Sequence, residues 1–369
     1  MVKPGHGSSV GPALLPWGRY PLTLCLLILL PACSIVPPKH AFEMPGIEPG
    51  DAQNIVWPAR PDVPRYAFIG HLYGESNTAK VDPERGAFAS FMAAVVGLDE
   101  KQSDAIDLVQ PQQVCSDGQG RVYAADSGRQ AVFVFDEELG EFFIWNESSL
   151  NIPFLSPVGV AYVVDSVWVT DSELSLIYRL TRQGDLIDTL GKGVVVRPTG
   201  ISYDPDGQRV FISDTEDNNI KVFDLDGTLQ EVWGSNGSGE GEFNRPTFIA
   251  YRDDRLYVSD SLNARVQVFD ALGDYRGTFG QRGLYIGNLT RPKGIALDSD
   301  RNVYVSESYY DYVVIYNESG EFLMSLGGSG LGPGQFSQPT GVWVDDKDRV
   351  FVSDMLNRRI SMFQYLGGN

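Results

Sequence analysis

Histidine and positive charge are scarce in this sequence. Of its 369 residues only three are histidine, His6, His40 and His71, so none lies beyond residue 71. This argues against a histidine-ligated zinc centre in the long C-terminal part of the chain. Lysine and arginine together number 29 against 48 acidic residues, which gives a formal net charge of −19. Nucleic acid is not an expected partner, because its binding needs a basic surface that displaces counterions.

Long apolar runs are also missing, apart from one of nine residues near the N-terminus. Leu22–Leu30, LTLCLLILL, follows Arg19 and is too short to span a bilayer as a helix but suits the core of a signal peptide. The adjoining Leu-Pro-Ala-Cys33 resembles the lipobox of bacterial lipoproteins. The resemblance implies a signal peptide over 1–32, a lipidated Cys33 and, because Ser34 follows, a preference for the outer membrane. An ordinary cleaved signal or a signal anchor is the alternative.

Cysteine is too rare for a disulfide framework. Cys25 lies in the apolar run and Cys33 is the proposed anchor, which leaves Cys115 alone in the remaining chain. Residues 33–64 contain seven prolines and are therefore expected to form an extended, semi-rigid tether.

Glycine and proline are plentiful, with 40 and 22 residues, and 43% of the chain is hydrophobic, which suits a large all-β domain. Six segments begin with a proline followed three positions later by an apolar residue, at intervals of 41 to 48 residues: Pro111, Pro157, Pro198, Pro246, Pro292 and Pro339. An alternating apolar run ends in an acid 14 to 16 residues after each proline: Asp126, Asp171, Asp214, Asp260, Glu307 and Asp354. Two markers with one period indicate a repeat protein.

Each repeat contains four strand signals. In residues 198–244 these are GISYD, RVFISD, IKVFD and LQEVWG, separated in part by Pro-Asp-Gly and Asp-Gly turns. Four antiparallel strands in about 45 residues are typical of a β-propeller blade. The sixth repeat stops after its third strand, and RYAFIGHLYG at 65–74 resembles the fourth strands of other repeats. We therefore predict an all-β, six-bladed propeller over 65–369, closed by an N-terminal strand that removes an exposed edge.

Segments such as PTGISYDPDGQRVFISDT, VSDSLNARVQVFD and GEGEFNRP resemble NHL repeats over 65–369. The resemblance implies the propeller fold but leaves function open, since the fold hosts scaffolds, binding proteins and a few enzymes.

The six repeated acids are expected to hydrogen-bond backbone amides of the turns that follow them, which would make them structural. A ring of metal ligands is the rival interpretation, and it is disfavoured because the acids lie on separate blades.

One face of the predicted propeller collects the turns between second and third strands, and it is the candidate binding face. It carries Arg129, Asn219, Arg265, Tyr309, Tyr310, Tyr312 and Arg359. The three tyrosines stand where other repeats have different residues, and tyrosine is a favoured contact residue. For Tyr312, packing against its own blade is an equally good interpretation.

A long insertion at 75–110 should lie on the same face. Asp82-Pro83 predicts the start of a short helix and Gly97 its end. Its apolar stripe comprises Phe88, Phe91, Met92 and Val95, which covers either core surface or a partner.

Enzymatic function is the alternative to binding. Similar six-bladed lactonases hold calcium at the channel mouth, and here the residues after the blade-opening prolines should lie there: Gln112, Val158, Thr199, Thr247, Lys293 and Thr340. None is a carboxylate, the ligand calcium needs, and no nucleophile elbow or phosphate loop is present. We therefore expect no catalytic residues, metal or cofactor. The sequence favours a membrane-anchored scaffold that binds an envelope protein; a lactonase-like or lyase-type enzyme and a glycan-binding module are the alternatives.

Overall fold

The computed structural model describes residues 40–42, 44–45, 55–80 and 105–367, almost all of them in strands and tight turns. The N-terminal strands are β1 (His40–Phe42), β2 (Val56–Trp57), β3 (Tyr66–Leu72) and β4 (Thr78–Lys80). Within the described ranges the helical elements are one helix, α1 (Glu147–Leu150), and 3-10 turns at Glu75–Asn77 and Ser261–Asn263. In these ranges no helix has the length and apolarity needed to cross a membrane.

Five four-stranded antiparallel blades follow, with strands in chain order within each sheet. Blade 1 contains β5–β8 (Pro111–Ser116, Arg121–Asp126, Ala131–Asp136, Glu141–Trp145). Blade 2 contains β9–β12 (Pro157–Val163, Ser166–Asp171, Leu176–Thr181, Leu186–Leu190). Blade 3 contains β13–β16 (Pro198–Asp204, Arg209–Asp214, Asn219–Asp224, Leu229–Trp233). The connection to blade 4 holds the parallel pair β17 (Ser235–Asn236) and β18 (Glu242–Phe243).

The remaining blades complete the ring. Blade 4 contains β19–β22 (Pro246–Arg252, Arg255–Asp260, Arg265–Asp270, Tyr275–Phe279). Blade 5 contains β23–β26 (Pro292–Leu297, Val303–Glu307, Tyr312–Tyr316, Phe322–Gly327). Blade 6 contains β27–β29 (Pro339–Val344, Arg349–Asp354, Arg359–Tyr365). Its fourth strand is β3, which pairs with β29, and β2 adds a fifth strand outside β3. The predicted closure by an N-terminal strand is confirmed, as is the six-bladed all-β fold.

The inner strands of the blades contact one another in a closed circle. The third residue of four of these strands is glycine: Gly159, Gly200, Gly294 and Gly341. A Cβ atom on Gly200 would lie 2.6 Å from the Cα of Phe248, and one on Gly341 would lie 2.2 Å from the carbonyl oxygen of Gln112. Neighbouring inner strands therefore approach so closely that a side chain does not fit between them.

Part of the predicted tether belongs to the folded domain. The amide of Phe42 donates to the carbonyl of Gly140 over 2.7 Å, and its ring lies 5.4 Å from that of Phe135 in blade 1. Trp57 packs its ring 5.4 Å from Phe363. The folded part thus extends N-terminal of residue 65, whereas the signal peptide and Cys33 lie outside the described residues.

The insertion begins and ends at the same place. The amide of Ser76 donates to the carboxylate of Asp107 over 2.9 Å, and the amide of Leu108 donates to the carbonyl of Tyr73 over 2.7 Å. These bonds hold the two ends of the insertion together. The helix predicted from Asp82 to Gly97 lies outside the described residues.

Candidate functional site

The six repeated acids are buried and fasten the segment that enters each blade. The carboxylate of Asp126, for example, accepts hydrogen bonds from the amides of Val109 (2.7 Å) and Gln110 (3.1 Å) and, in the following turn, from that of Arg129 (2.8 Å). Burial nevertheless raises the pKa of Asp126. The predicted bonds to following-turn amides are also found for Asp171, Asp214 and Glu307. Asp260 and Asp354 instead accept from the side-chain amides of Asn263 and Asn357.

Two predicted binding residues, Arg265 and Arg359, clamp the glycine-rich connections. Arg359 is buried; its Nε donates to Asp354 over 2.8 Å, and its Nη atoms donate to the carbonyls of Leu331, Gly332 and Gln335 over 2.9 to 3.1 Å. Arg265 binds Asp260 and the carbonyls of Gly239 and Glu242 in the same way. Both guanidinium groups are therefore engaged in holding the fold.

Asn219 and Arg129 have different surroundings. Asn219 is buried and donates to Asp217 over 3.1 Å, beside Lys221, whose ammonium lies 2.7 Å from Asp214 and 2.6 Å from Asp217. Arg129 is exposed, and its Nε donates to the carbonyl of Asp107 over 2.8 Å, which ties the end of the insertion to blade 1. Of these two, Arg129 is the one open to a ligand.

The three tyrosines of blade 5 form one contiguous group. The rings of Tyr309 and Tyr310 meet edge to face at 4.9 Å, and those of Tyr310 and Tyr312 stack at 6.0 Å with an angle of 6°. Tyr309 is exposed, whereas Tyr312 is half-buried against the core between blades 4 and 5. Burial, reinforced by Glu307, raises the pKa of Tyr312 to about 12. Tyr312 thus packs on its own blade and also supports the half-buried Tyr310, which contacts the exposed Tyr309.

The turns after the repeated acids carry different kinds of residue in the two halves of the ring. Two residues after the acid, blades 4, 5 and 6 carry the exposed side chains Leu262, Tyr309 and Leu356. Blades 1, 2 and 3 carry Gly128, Glu173 and Glu216 at the same position. The apolar residues are therefore concentrated on one half of this face.

The connections into blades 5 and 6 extend the apolar half. Leu284, Tyr285 and Leu331 are 84%, 82% and 78% exposed. The connections touch the turns, because the guanidinium of Arg282 donates to the carbonyl of Leu262 and the amide of Asn357 to that of Gly330, each over 2.8 Å. The apolar face is defined here as Leu262, Leu284, Tyr285, Tyr309, Leu331 and Leu356.

The residues that follow the blade-opening prolines circle the channel on the same side. The hydroxyl of Thr199 donates to the carbonyl of Thr247 over 3.0 Å, and that of Thr247 to the carbonyl of Lys293 over 3.4 Å. Thr340 donates to the carbonyl of Pro111 over 2.8 Å. The side-chain amide of Gln112 donates to the hydroxyl of Ser127 over 3.1 Å. The three threonine bonds join neighbouring blades, the Gln112 bond stays within blade 1, and together they form the rim of the channel mouth.

The channel is blocked below this rim by the two inner strands that lack glycine at their third position. Gln113 of blade 1 donates to the carbonyl of Ile201 in blade 3 over 2.9 Å, so it reaches across the channel. Phe248 of blade 4 is buried, and Val158, from the rim position of blade 2, packs against its cluster. A shallow mouth on one side is thus separated from the opposite end of the channel.

A cavity of about 250 Å³ opens at that opposite end. The space exists because the inner strands carry small residues here, namely Ala161, Ser202, Ala250 and Ala296. The aromatic rings of Tyr162, Tyr203, Tyr251 and Trp343 surround it. The cavity could hold a small, mostly apolar molecule. The sequence analysis did not predict this cavity. A small residue followed by tyrosine recurs in β9, β13 and β19, and this pattern could have indicated it.

In the described ranges, no group of three or more His, Cys, Asp or Glu side chains is placed to hold a metal ion.

Family models agree with the fold. A model described as a 6-bladed beta-propeller matches residues 289–368, and the NHL repeat model matches residues 243–269. No curated protein sequence matches the chain.

Several solved structures resemble this chain in fold at low sequence identity. Virginiamycin B lyase from Staphylococcus aureus is 16% identical with a TM-score of 0.52, covering 69% of this chain and 95% of its own. A protein of unknown function from Bacteroides thetaiotaomicron is 15% identical with a TM-score of 0.56, covering 71% and 70%. An auxiliary nutrient binding protein from the same species is 13% identical with a TM-score of 0.54, covering 70% of each chain. At these identities the likeness extends to the fold alone, which is that of a six-bladed β-propeller.

Proposed function

We propose that this protein is a binding or assembly scaffold of the bacterial cell envelope that presents its apolar face to another protein. The observation that carries the proposal is that the most exposed large apolar side chains of this face lie on the turns and connections of blades 4 to 6, whereas Leu155, Val194 and Val196 of the connections into blades 2 and 3 are less exposed. Exposed apolar groups gathered on one face mark interaction sites. Tyrosine is also enriched among the residues that dominate binding energy at interfaces.

Attachment to a membrane belongs to the same proposal. The lipobox-like sequence ending at Cys33 would place a lipid anchor N-terminal of the propeller, with the outer membrane favoured. No reaction is proposed, since the likeness to a lyase is one of fold, and binding proteins share that fold equally.

Co-purification from native membranes after mild crosslinking tests the proposal. The test variant carries Tyr285→Ser, Tyr309→Ser and Leu331→Ser. The control variant carries Leu139→Ser and Leu272→Ser, which remove exposed leucines from turns between third and fourth strands on the opposite face. We expect a partner to remain with wild type and control and to be lost from the test variant.

Two other outcomes count against the proposal. A partner retained by all three proteins would show that the apolar face is not the binding surface. If no protein is retained by any of them, the scaffold function is wrong. Thermal unfolding of each variant beforehand shows that a lost partner is not the result of a lost fold.

A further inference from the structure

Three cations stand together at the channel mouth of this acidic protein. Arg197 and Arg291 immediately precede the prolines that open blades 3 and 5, and Lys293 immediately follows the second of these prolines. Both arginines are exposed, and Lys293 is half-buried. The hydrogen-bonded series Thr199, Thr247 and Lys293 places blades 3, 4 and 5 side by side around this part of the rim.

Among the described residues, no carboxylate forms an ion pair with any of these three cations. Among residues 105–367, the ion pairs found do not include Arg197, Arg291 or Lys293. In blade 4 the corresponding arginine, Arg245, is paired with Glu216. The buried Lys221 of blade 3 is paired with two carboxylates.

The surroundings of Lys293 disfavour its positive charge. Burial lowers the pKa of Lys293, and the charges of Arg291 and then Arg197 lower it further. Like charges held close together in a partly dehydrated site repel one another unless an anion is present. A chain with a net charge of −19 would not be expected to leave such a group without a counter-charge.

We propose that the channel mouth between blades 3 and 5 binds a small anion bearing carboxylate or phosphate groups. Guanidinium groups bind either kind of oxyanion through paired N–H donors, and an ammonium adds a point charge. Gln113 and Phe248 close the channel below the mouth, so the ligand is held at the rim and does not pass through. This proposal is independent of the apolar face.

The repeats supply neutral replacements for each cation. Threonine stands at the position of Lys293 in blades 3, 4 and 6, and glutamine stands at the position of Arg197 and Arg291 in blades 1 and 6. The variants Lys293→Thr, Arg197→Gln and Arg291→Gln should therefore fold. Arg358→Gln, which removes an exposed cation from the blade 6 turn on the same face, is the charge-matched control.

Isothermal titration calorimetry with citrate and with inorganic phosphate, at constant ionic strength set by sodium chloride, measures the binding. We expect one of the two probes to bind wild type and the Arg358→Gln control equally. Each mouth variant should bind it about tenfold more weakly, the usual effect of losing a hydrogen bond to a charged group. The probe that binds identifies the ligand group as carboxylate or phosphate.

Two results would overturn the site. One is the absence of binding by wild type beyond the sodium chloride blank. The other is equal binding by wild type and Lys293→Thr, which would show that the anion binds elsewhere. Thermal unfolding without ligand provides a check, because Lys293→Thr should be no less stable than wild type once the repulsion among the three cations is relieved.

Discussion

The closing strand carries a histidine whose protonation should weaken the ring. In β3, the Nε2 of His71 lies 3.0 Å from Nη1 of Arg359, and its Nδ1 lies 3.2 Å from the hydroxyl of Ser361. A guanidinium can only donate, so Nε2 accepts and the ring is neutral, with its proton on Nδ1. Burial and, after it, the charge of Arg359 lower the pKa of His71 from 6.5 to about 4.

The sign and size of the effect follow from this pKa. The unfolded chain binds the proton near pH 6.5 and the folded chain near pH 4, so the unfolded state holds more protons between these values. Stability is therefore fully present above pH 6.5 and is lost as the pH falls towards 4. At about 1.4 kcal/mol for each tenfold change in proton affinity, the ceiling is about 3 kcal/mol. Partial exposure of the ring to solvent lowers our expectation to about 1 to 2 kcal/mol.

Urea unfolding at pH 7.5, 6.5, 5.5 and 4.5 measures this loss. The comparison is between wild type and His71→Gln, whose amide can accept from Arg359 but does not titrate. Both proteins share the buried acids, so the difference between their free energies of unfolding isolates His71. Below pH 6.5 we expect the free energy of unfolding of wild type to fall further than that of His71→Gln. Above pH 6.5 the difference between the two proteins should stay constant. Parallel curves over the whole range would refute the neutral, accepting histidine.

Three further predictions concern stability and reactivity. Arg359→Ala should lower the free energy of unfolding by about 3 to 5 kcal/mol in urea unfolding, since it leaves the buried carboxylate of Asp354 without its cation. Arg276→Ala, which breaks a solvent-exposed pair, should leave the urea midpoint almost unchanged. Gly294→Ala should cost about 1 to 3 kcal/mol or more in the same assay, because its Cβ would lie 2.4 Å from the Thr340 carbonyl oxygen. Cys115 is buried and its thiol pKa is raised by burial, so a chain with Cys25 and Cys33 replaced by serine should react with a thiol reagent only after unfolding.

The sequence was sufficient for the architecture because the signals for it are local and periodic. Each proline and each acid recurs once per blade, and the missing fourth strand of the sixth repeat identified β3 as its replacement. The structural role of the acids could also be predicted, since an acid at a strand end next to a turn is a local motif. Their main partners, the amides before each blade-opening proline, lie 15 to 18 residues away and have no local signature.

The roles of the site residues depend on contacts that the sequence does not show. Arg265 and Arg359 were expected on the binding face, but their donors are taken by carbonyls of glycine-rich connections, whose path is set only in the folded chain. Lys293 was placed at the channel mouth from its position after a proline. Its lack of a carboxylate partner among the described residues, and the nearness of Arg197, emerge only once blades 3 and 5 are brought around the channel.

Blade 5 shows why one repeat can depart from the others without losing the fold. In blades 4 and 6 an arginine at the start of the third strand neutralises the acid, as Arg265 does for Asp260 and Arg359 for Asp354. In blade 5 that position is Tyr312, and the acid is Glu307, whose longer side chain accepts from the amides of Thr290 (2.7 Å) and Arg291 (3.0 Å). Because backbone amides satisfy the acid, no cation is needed at the start of the third strand, and that position is free for an aromatic ring. The same blade also carries the exposed Tyr309, the most exposed connection and two of the three cations at the mouth. Blade 5 therefore keeps the strand pairing of the other blades while its turn and connections carry residues of both proposed binding sites.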